Sequence, residues 1–233
     1  MTLSAATLFA VNGSVSKLAL DTSAIGTPRW TELRSTGAFV GLLLALAVVA
    51  PARLRFSGRR DAIQLAFYGI VGFALVQWLY FVAIDRLPIG IGLLFEFTAP
   101  ALIAVWARFA WHEPVRTRIW PALALVLLGL AMVAEIWSGL ELDALGVLAG
   151  LGAACALSVF YLMGERLVHR RDPLSVVCLA LGFATGFWAV VLPWWSFPFG
   201  KLAISADLPG SLGTAPVWAC ALWTVALGTI APF

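Results

Sequence analysis

The stretch PIGIGLLFEFTAPALIAVWA, residues 88–107, carries a single charged side chain, Glu96. A helix needs about 20 predominantly apolar residues to cross the hydrocarbon core of a bilayer. This run has that length, and it is too apolar to lie half-wet on a soluble core. It is read as a membrane span. Similar stretches recur on both sides of it, giving spans at about 2–20, 36–51, 63–84, 88–107, 119–137, 144–163, 174–195 and 215–233. Asn12, Gly13, Ser14, Ser16 and Lys17 interrupt the first, which is read as a polar-faced helix. It is a poor signal peptide, because no basic run precedes it and no small-residue cleavage site follows.

Composition points the same way. Of 233 residues, 62% are hydrophobic and 12% charged, and the mean hydropathy is +0.97. Soluble domains average about a quarter charged residues, so a soluble enzyme or a nucleic-acid-binding domain is excluded. The expected fold is an all-α polytopic membrane protein whose surroundings are the lipid bilayer. The net charge of +3 does not point to nucleic acid, because the bases gather at span ends. Arg53, Arg55, Arg59 and Arg60 follow span two; Arg108, Arg116 and Arg118 follow span four; Arg166, Arg170 and Arg171 follow span six. These three connections share one side, which the positive-inside rule makes cytoplasmic, with both chain ends there too. The connection after span five holds only Glu135, Glu141 and Asp143. Trp106, Trp111 and Trp120 gather near one interface and Trp137, Trp194, Trp195 and Trp218 near the other, as aromatic belts do. Cys155, Cys178 and Cys220 sit singly in apolar runs and read as small buried hydrophobes.

The acidic linker 135–143 separates five spans from three, and span six (AACALSVFYLMGERL) echoes span one (AATLFAVNGSVSKLAL). Five is odd, so a second copy of the unit enters the membrane upside down. Inverted repeats of this kind build many secondary transporters. The expected domains are 1–137, a first repeat of five helices, and 144–233, a second repeat with three. On this logic the second copy lacks its last two spans, and the chain alone is expected to be a piece of a longer, ten-span protein and inactive in transport.

The run AIDRLPIGIGLLFEFTAPALIAVWARF (83–109), with WHEPVRTRIWPALALVLLGLAMV (111–133) after it, resembles the EamA-type transporters of the drug/metabolite transporter superfamily. LPIGIGLLFEFTAP looks most like the threonine/homoserine exporter branch, and the likeness continues through LDALGVLAGLGAACALSVFYLMGERLVHRRDP (142–173). The resemblance implies an exporter of amino acids or related small metabolites in the cell membrane, built from inverted five-helix repeats, with about eight of ten helices present. The family's Gly-Glu after helix four stands here as His112-Glu113.

Glu96 is the leading site residue. An ionised side chain at the bilayer centre costs about 2.5–3.5 kcal/mol on insertion scales, so a proton or an ammonium group is its natural companion. Gly92 and Ala99 share its helix face and allow close helix contact. Pro100 has no N–H for the carbonyl of residue 96, which adds an acceptor beside the carboxylate. The bland alternative is a protonated Glu bonded between helices for packing alone. Gln77 is a candidate polar group of the same cavity. Asn12 could line it too, although interhelical hydrogen bonding explains Asn12 equally well. Lys17 either snorkels to the interface or meets a carboxylate. No catalytic residue, metal or cofactor is expected: the position four after His112 is Arg116 rather than His, and no phosphate-cradling loop occurs. A proton-coupled secondary transporter of a small molecule is therefore the leading reading, and a homo-oligomer is compatible with it. An intramembrane enzyme is the alternative from another class, but Glu96 lacks an intramembrane His, Asp or reactive Cys as partner.

Overall fold

Thr27-Pro28 starts the second helix well before the apolar run begins. Proline is suited to the first turn of a helix, where its missing N–H is not needed, and here it occupies that turn. The computed structural model describes residues 2–133, 143–207 and 213–230. Each of the eight expected spans contains helix among its described residues. The helices are α1 (Thr2–Ser23), α2 (Thr27–Val49), α3 (Arg59–Tyr68), α4 (Val76–Arg86), α5 (Ile89–Glu96), α6 (Ala99–Phe109), α7 (Ile119–Val133), α8 (Ala144–Val168), α9 (Pro173–Val191) and α10 (Val217–Val225). A π-helical stretch, Gly69–Leu75, joins α3 and α4 into one rod, and a second, Ala226–Ile230, extends α10. Among the described residues, five helices are long and apolar enough to cross a membrane: α2, the Arg59–Arg86 rod, Ile89–Phe109, α8 and α9. The chain is an all-α polytopic membrane protein.

Three boundaries differ from the expectation. α2 begins at Thr27 rather than 36, so Arg29, Glu32 and Arg34 belong to a helix instead of a loop. α9 ends at Val191, because Pro193 turns the chain into a short 3-10 helix, Trp194–Ser196. Before α10, Ser205–Asp207 pairs antiparallel with Thr214–Pro216 in a small hairpin that the hydropathy reading did not anticipate. Glu135, Trp137 and Glu141 lie outside the described residues.

The chain divides into two compact units, residues 1–74 with 166–233, and residues 75–165. In the first, α2 lies against α9, and α10 against both α1 and α2. Ala38, Leu42 and Leu46, four residues apart on α2, are buried, as are Val177, Leu181, Ala184 and Trp188 on α9. Glycines set the closest approaches. A Cβ on Gly69 would collide with the Ala180 carbonyl oxygen, and one on Gly37 would stand 2.8 Å from Val225. In the second unit, α5 packs on α4 and α7 on α5 and α6. Leu125, Val126, Leu128 and Met132 of α7 are exposed, an apolar face that suits lipid. Cys178 and Cys220 are buried, but Cys155 is exposed, which corrects the expectation for that residue. It follows Ala154 in the chain and so points away from the face that α8 buries.

Candidate functional site

The second unit contains a helix that breaks beside a carboxylate. α5 ends at Glu96, Phe97 and Thr98 form a turn, and α6 resumes at Ala99 with Pro100 in its first turn. Pro100 brings no N–H to the Glu96 carbonyl, which removes one rung of the ladder. The turn supplies donors one residue earlier: the Thr98 amide and hydroxyl both donate to the Phe95 carbonyl, at 3.0 and 2.6 Å. Glu96 is half-buried, and its Oε2 atom is screened from solvent.

A face of small residues on α8 lies along this break. Gly146, Gly150, Ala154 and Ser158 follow at four-residue steps, which stacks them on one side of a helix. A Cβ on Gly146 would meet Leu87 at 2.8 Å, and one on Gly150 would meet the Phe95 ring at 2.5 Å. One turn further, the Ser158 hydroxyl donates to the Ala99 carbonyl at 3.3 Å and to the Ala154 carbonyl at 2.8 Å. A residue at the very start of α6 thus receives a donor from α8. Tyr161 continues the face and lies within Coulombic reach of the Glu96 carboxylate. The arrangement offers a carboxylate, a phenol and a serine hydroxyl around an interrupted helix. Such a group can accept a cation or a proton and hand it on.

The proposed residues divide between the units. Gln77, Glu96 and Pro100 belong to the second. Gln77 is partly buried near the start of α4, its Oε1 without a hydrogen-bond partner among the described residues. Pro100 is exposed. Asn12 and Lys17 belong to the first unit, on α1. Asn12 is buried against Gly228, where a Cβ would collide with its Oδ1 atom, and Lys17 is half-buried.

The sequence reading missed the polar residues of α2. Arg34 is buried; its Nε donates to the Thr229 hydroxyl at 2.8 Å and its Nη2 to the Gly228 carbonyl at 3.1 Å. Both partners lie in the π-helical stretch Ala226–Ile230, where widened turns leave carbonyls accessible to a side chain. Glu32 is fully buried and accepts from Arg29 at 2.7 Å. Arg29 also donates to the Leu192 and Pro193 carbonyls and to the Ser196 hydroxyl. Thr27-Pro28 was the available signal for these residues. A Pro one step into a helix places the next two turns, and their charges, inside it.

Residues 1–134 match the EamA-like transporter family. That covers more than half of the chain. The protein belongs to this family. The threonine/homoserine exporter RhtA of Escherichia coli K12 is 31% identical over 153 residues, 65% of this chain and 48% of the relative. The same figures hold for the exporter of that name from Salmonella typhimurium LT2. An uncharacterized inner membrane transporter of that Salmonella strain, YicL, is 22% identical over 211 residues, 88% of this chain and 69% of the relative. The chain spans about half the length of the exporters it matches. Membership and relatives place this EamA-family chain with membrane transporters rather than enzymes.

Proposed function

We propose that the protein is a secondary transporter of the cell membrane that exports amino acids or related small metabolites in exchange for protons. The observation that carries this is the Glu96 carboxylate at an interrupted helix, along the small-residue face of α8. A carboxylate inside a span faces protein or a water-filled cavity and marks an ion or proton path. An approaching ammonium group favours its ionised form, so substrate and proton compete for one group. Two relatives that carry the name of threonine/homoserine exporter support the amino-acid class. In the same reading, residues 1–137 and 144–233 are inverted repeats, the N-terminus is cytoplasmic, and Gln77, Asn12 and Lys17 serve the transport path.

The test is efflux of labelled threonine from proteoliposomes holding the full natural polypeptide under an imposed pH gradient. Glu96→Gln keeps size and hydrogen bonding and is expected to abolish the pH-driven component. Transport by Glu96→Gln at the wild-type rate with unchanged pH dependence overturns the role given to Glu96.

A further inference from the structure

The first unit has a basic cavity where its helices end. It measures about 270 Å³ and is lined by Arg53, Arg55, Phe56, Ser57, Arg171 and Ser175 together with Asp172. Two carboxylates already serve this region. Asp172 pairs with Arg53 at 3.1 Å and accepts from the Ser175 amide at 3.3 Å, capping α9. Asp61 pairs with Arg171 at 3.4 Å. Three guanidinium groups against two carboxylates leave an excess of positive charge. The Arg55 side chain makes no ion pair among the described residues. Arg171 is largely buried, with side-chain exposure of 11%, and donates through Nη2 to the Arg55 carbonyl. Its Nη1 atom is buried without a hydrogen-bond partner among the described residues. A buried guanidinium nitrogen with protons to give calls for an acceptor. Phosphate oxygens match the guanidinium fork in geometry and charge.

We propose that this cavity holds the phosphate group of an anionic phospholipid. Its surroundings favour a lipid over a soluble phosphate. On α2, Val40, Leu44 and Val48 are exposed at four-residue steps, so they form an apolar ridge that ends one turn before the cavity. Val49 and Phe56 are exposed at the cavity end of that ridge. An acyl chain lying along α2 would bring its headgroup to the arginines at interfacial depth. Basic pockets between transmembrane helices recognise anionic headgroups in this way. Ser57 and Ser175 line the cavity with small polar side chains, which leaves room for the phosphate oxygens beside the arginines.

The experiment measures lipid binding to the detergent-solubilised chain by native mass spectrometry, with phosphatidylglycerol, phosphatidylcholine and inorganic phosphate as separate probes. Phosphatidylglycerol is expected to bind in preference to phosphatidylcholine. Arg55→Gln, an exposed change that spares the Arg171–Asp61 pair, is expected to cut that preference roughly fivefold, the effect of one arginine beside an anionic surface. Arg116→Gln, in a different basic connection, is expected to leave it unchanged. Equal binding of the two lipids overturns the proposal, as does a preference that survives Arg55→Gln. Binding of inorganic phosphate with no lipid preference assigns the cavity to soluble anions and overturns the lipid assignment.

Discussion

Gly69 and Gly150 differ in what a methyl group would strike, and that difference sets their tolerance. At Gly69 the obstacle is the backbone carbonyl of Ala180; at Gly150 it is the ring of Phe95. A ring can turn aside, whereas a helix backbone moves only by separating two helices. Overpacking a core costs about 1–3 kcal/mol when side chains can adjust. Gly150→Ala is expected to fall in that range and Gly69→Ala to exceed it, measured by thermal unfolding in detergent. Gly150→Ala with Phe95→Leu should recover stability, while no single change on α9 rescues Gly69→Ala. Neither contact was legible in the sequence, since a glycine's neighbour across a helix interface leaves no local trace. Glu96 was legible because one carboxylate in twenty apolar residues stands out. Ser158 was not, because a serine in an apolar run reads as packing until its hydroxyl is found on the Ala99 carbonyl of another helix.

Elements carry the next level of argument. The α5–α6 break was half-readable: Pro100 announces a lost hydrogen bond, but the Phe97–Thr98 turn and the double donation to the Phe95 carbonyl depend on a threonine hydroxyl whose orientation no pattern shows. Pro100→Ala returns an N–H to this turn. The amide at position 100 is expected to become protected from hydrogen exchange, with transport slowed less than by Glu96→Gln. The start of α8 supplies a second test. Asp143 accepts from the Gly146 amide at 2.8 Å and meets Arg86 at 3.4 Å. The Gly146 N–H, aided by the Arg86 charge, holds its carboxyl below the usual carboxylate range. A depressed folded pKa gives stability that is fully present above the unfolded value, about 3.9, and is lost as pH falls through the folded value. Asp143→Ala is therefore expected to lower the melting temperature near neutral pH. The gap to wild type should close as the solution is made more acidic than the unfolded pKa.

Across the whole molecule, hydropathy placed helix in each of the eight expected stretches, and among the described residues five of the helices are long and apolar enough to cross a membrane. It misplaced the start of α2, where charged residues belong to the helix and are satisfied by distant partners. Burial of Arg34 against the π-helical stretch Ala226–Ile230 involves residues almost two hundred positions apart, beyond any local pattern. Ten of the fifteen Lys and Arg residues lie in the three connections at Arg53–Arg60, Arg108–Arg118 and Arg166–Arg171. If these are cytoplasmic, a cysteine placed at position 57 resists membrane-impermeant maleimide added to intact cells and reacts after the membrane is opened. Labelling in intact cells would reverse the orientation.

The Arg29 clamp also has a consequence for biosynthesis. Its acceptors at Leu192 and Pro193 are made 163 and 164 residues after it. At about 5–20 residues per second, they leave the ribosome roughly 8–30 s later. During that interval α2 has to enter the lipid with Glu32 as the early-made partner of Arg29. Neighbours three apart on a helix form a pair that needs no other segment, so Glu32 acts as a local escort for the arginine. Nascent chains halted before α9 are expected to show poorer membrane integration of α2 with Glu32→Gln than with wild type. Once residues 192–196 have emerged, the difference should shrink as the late-made carbonyls take over.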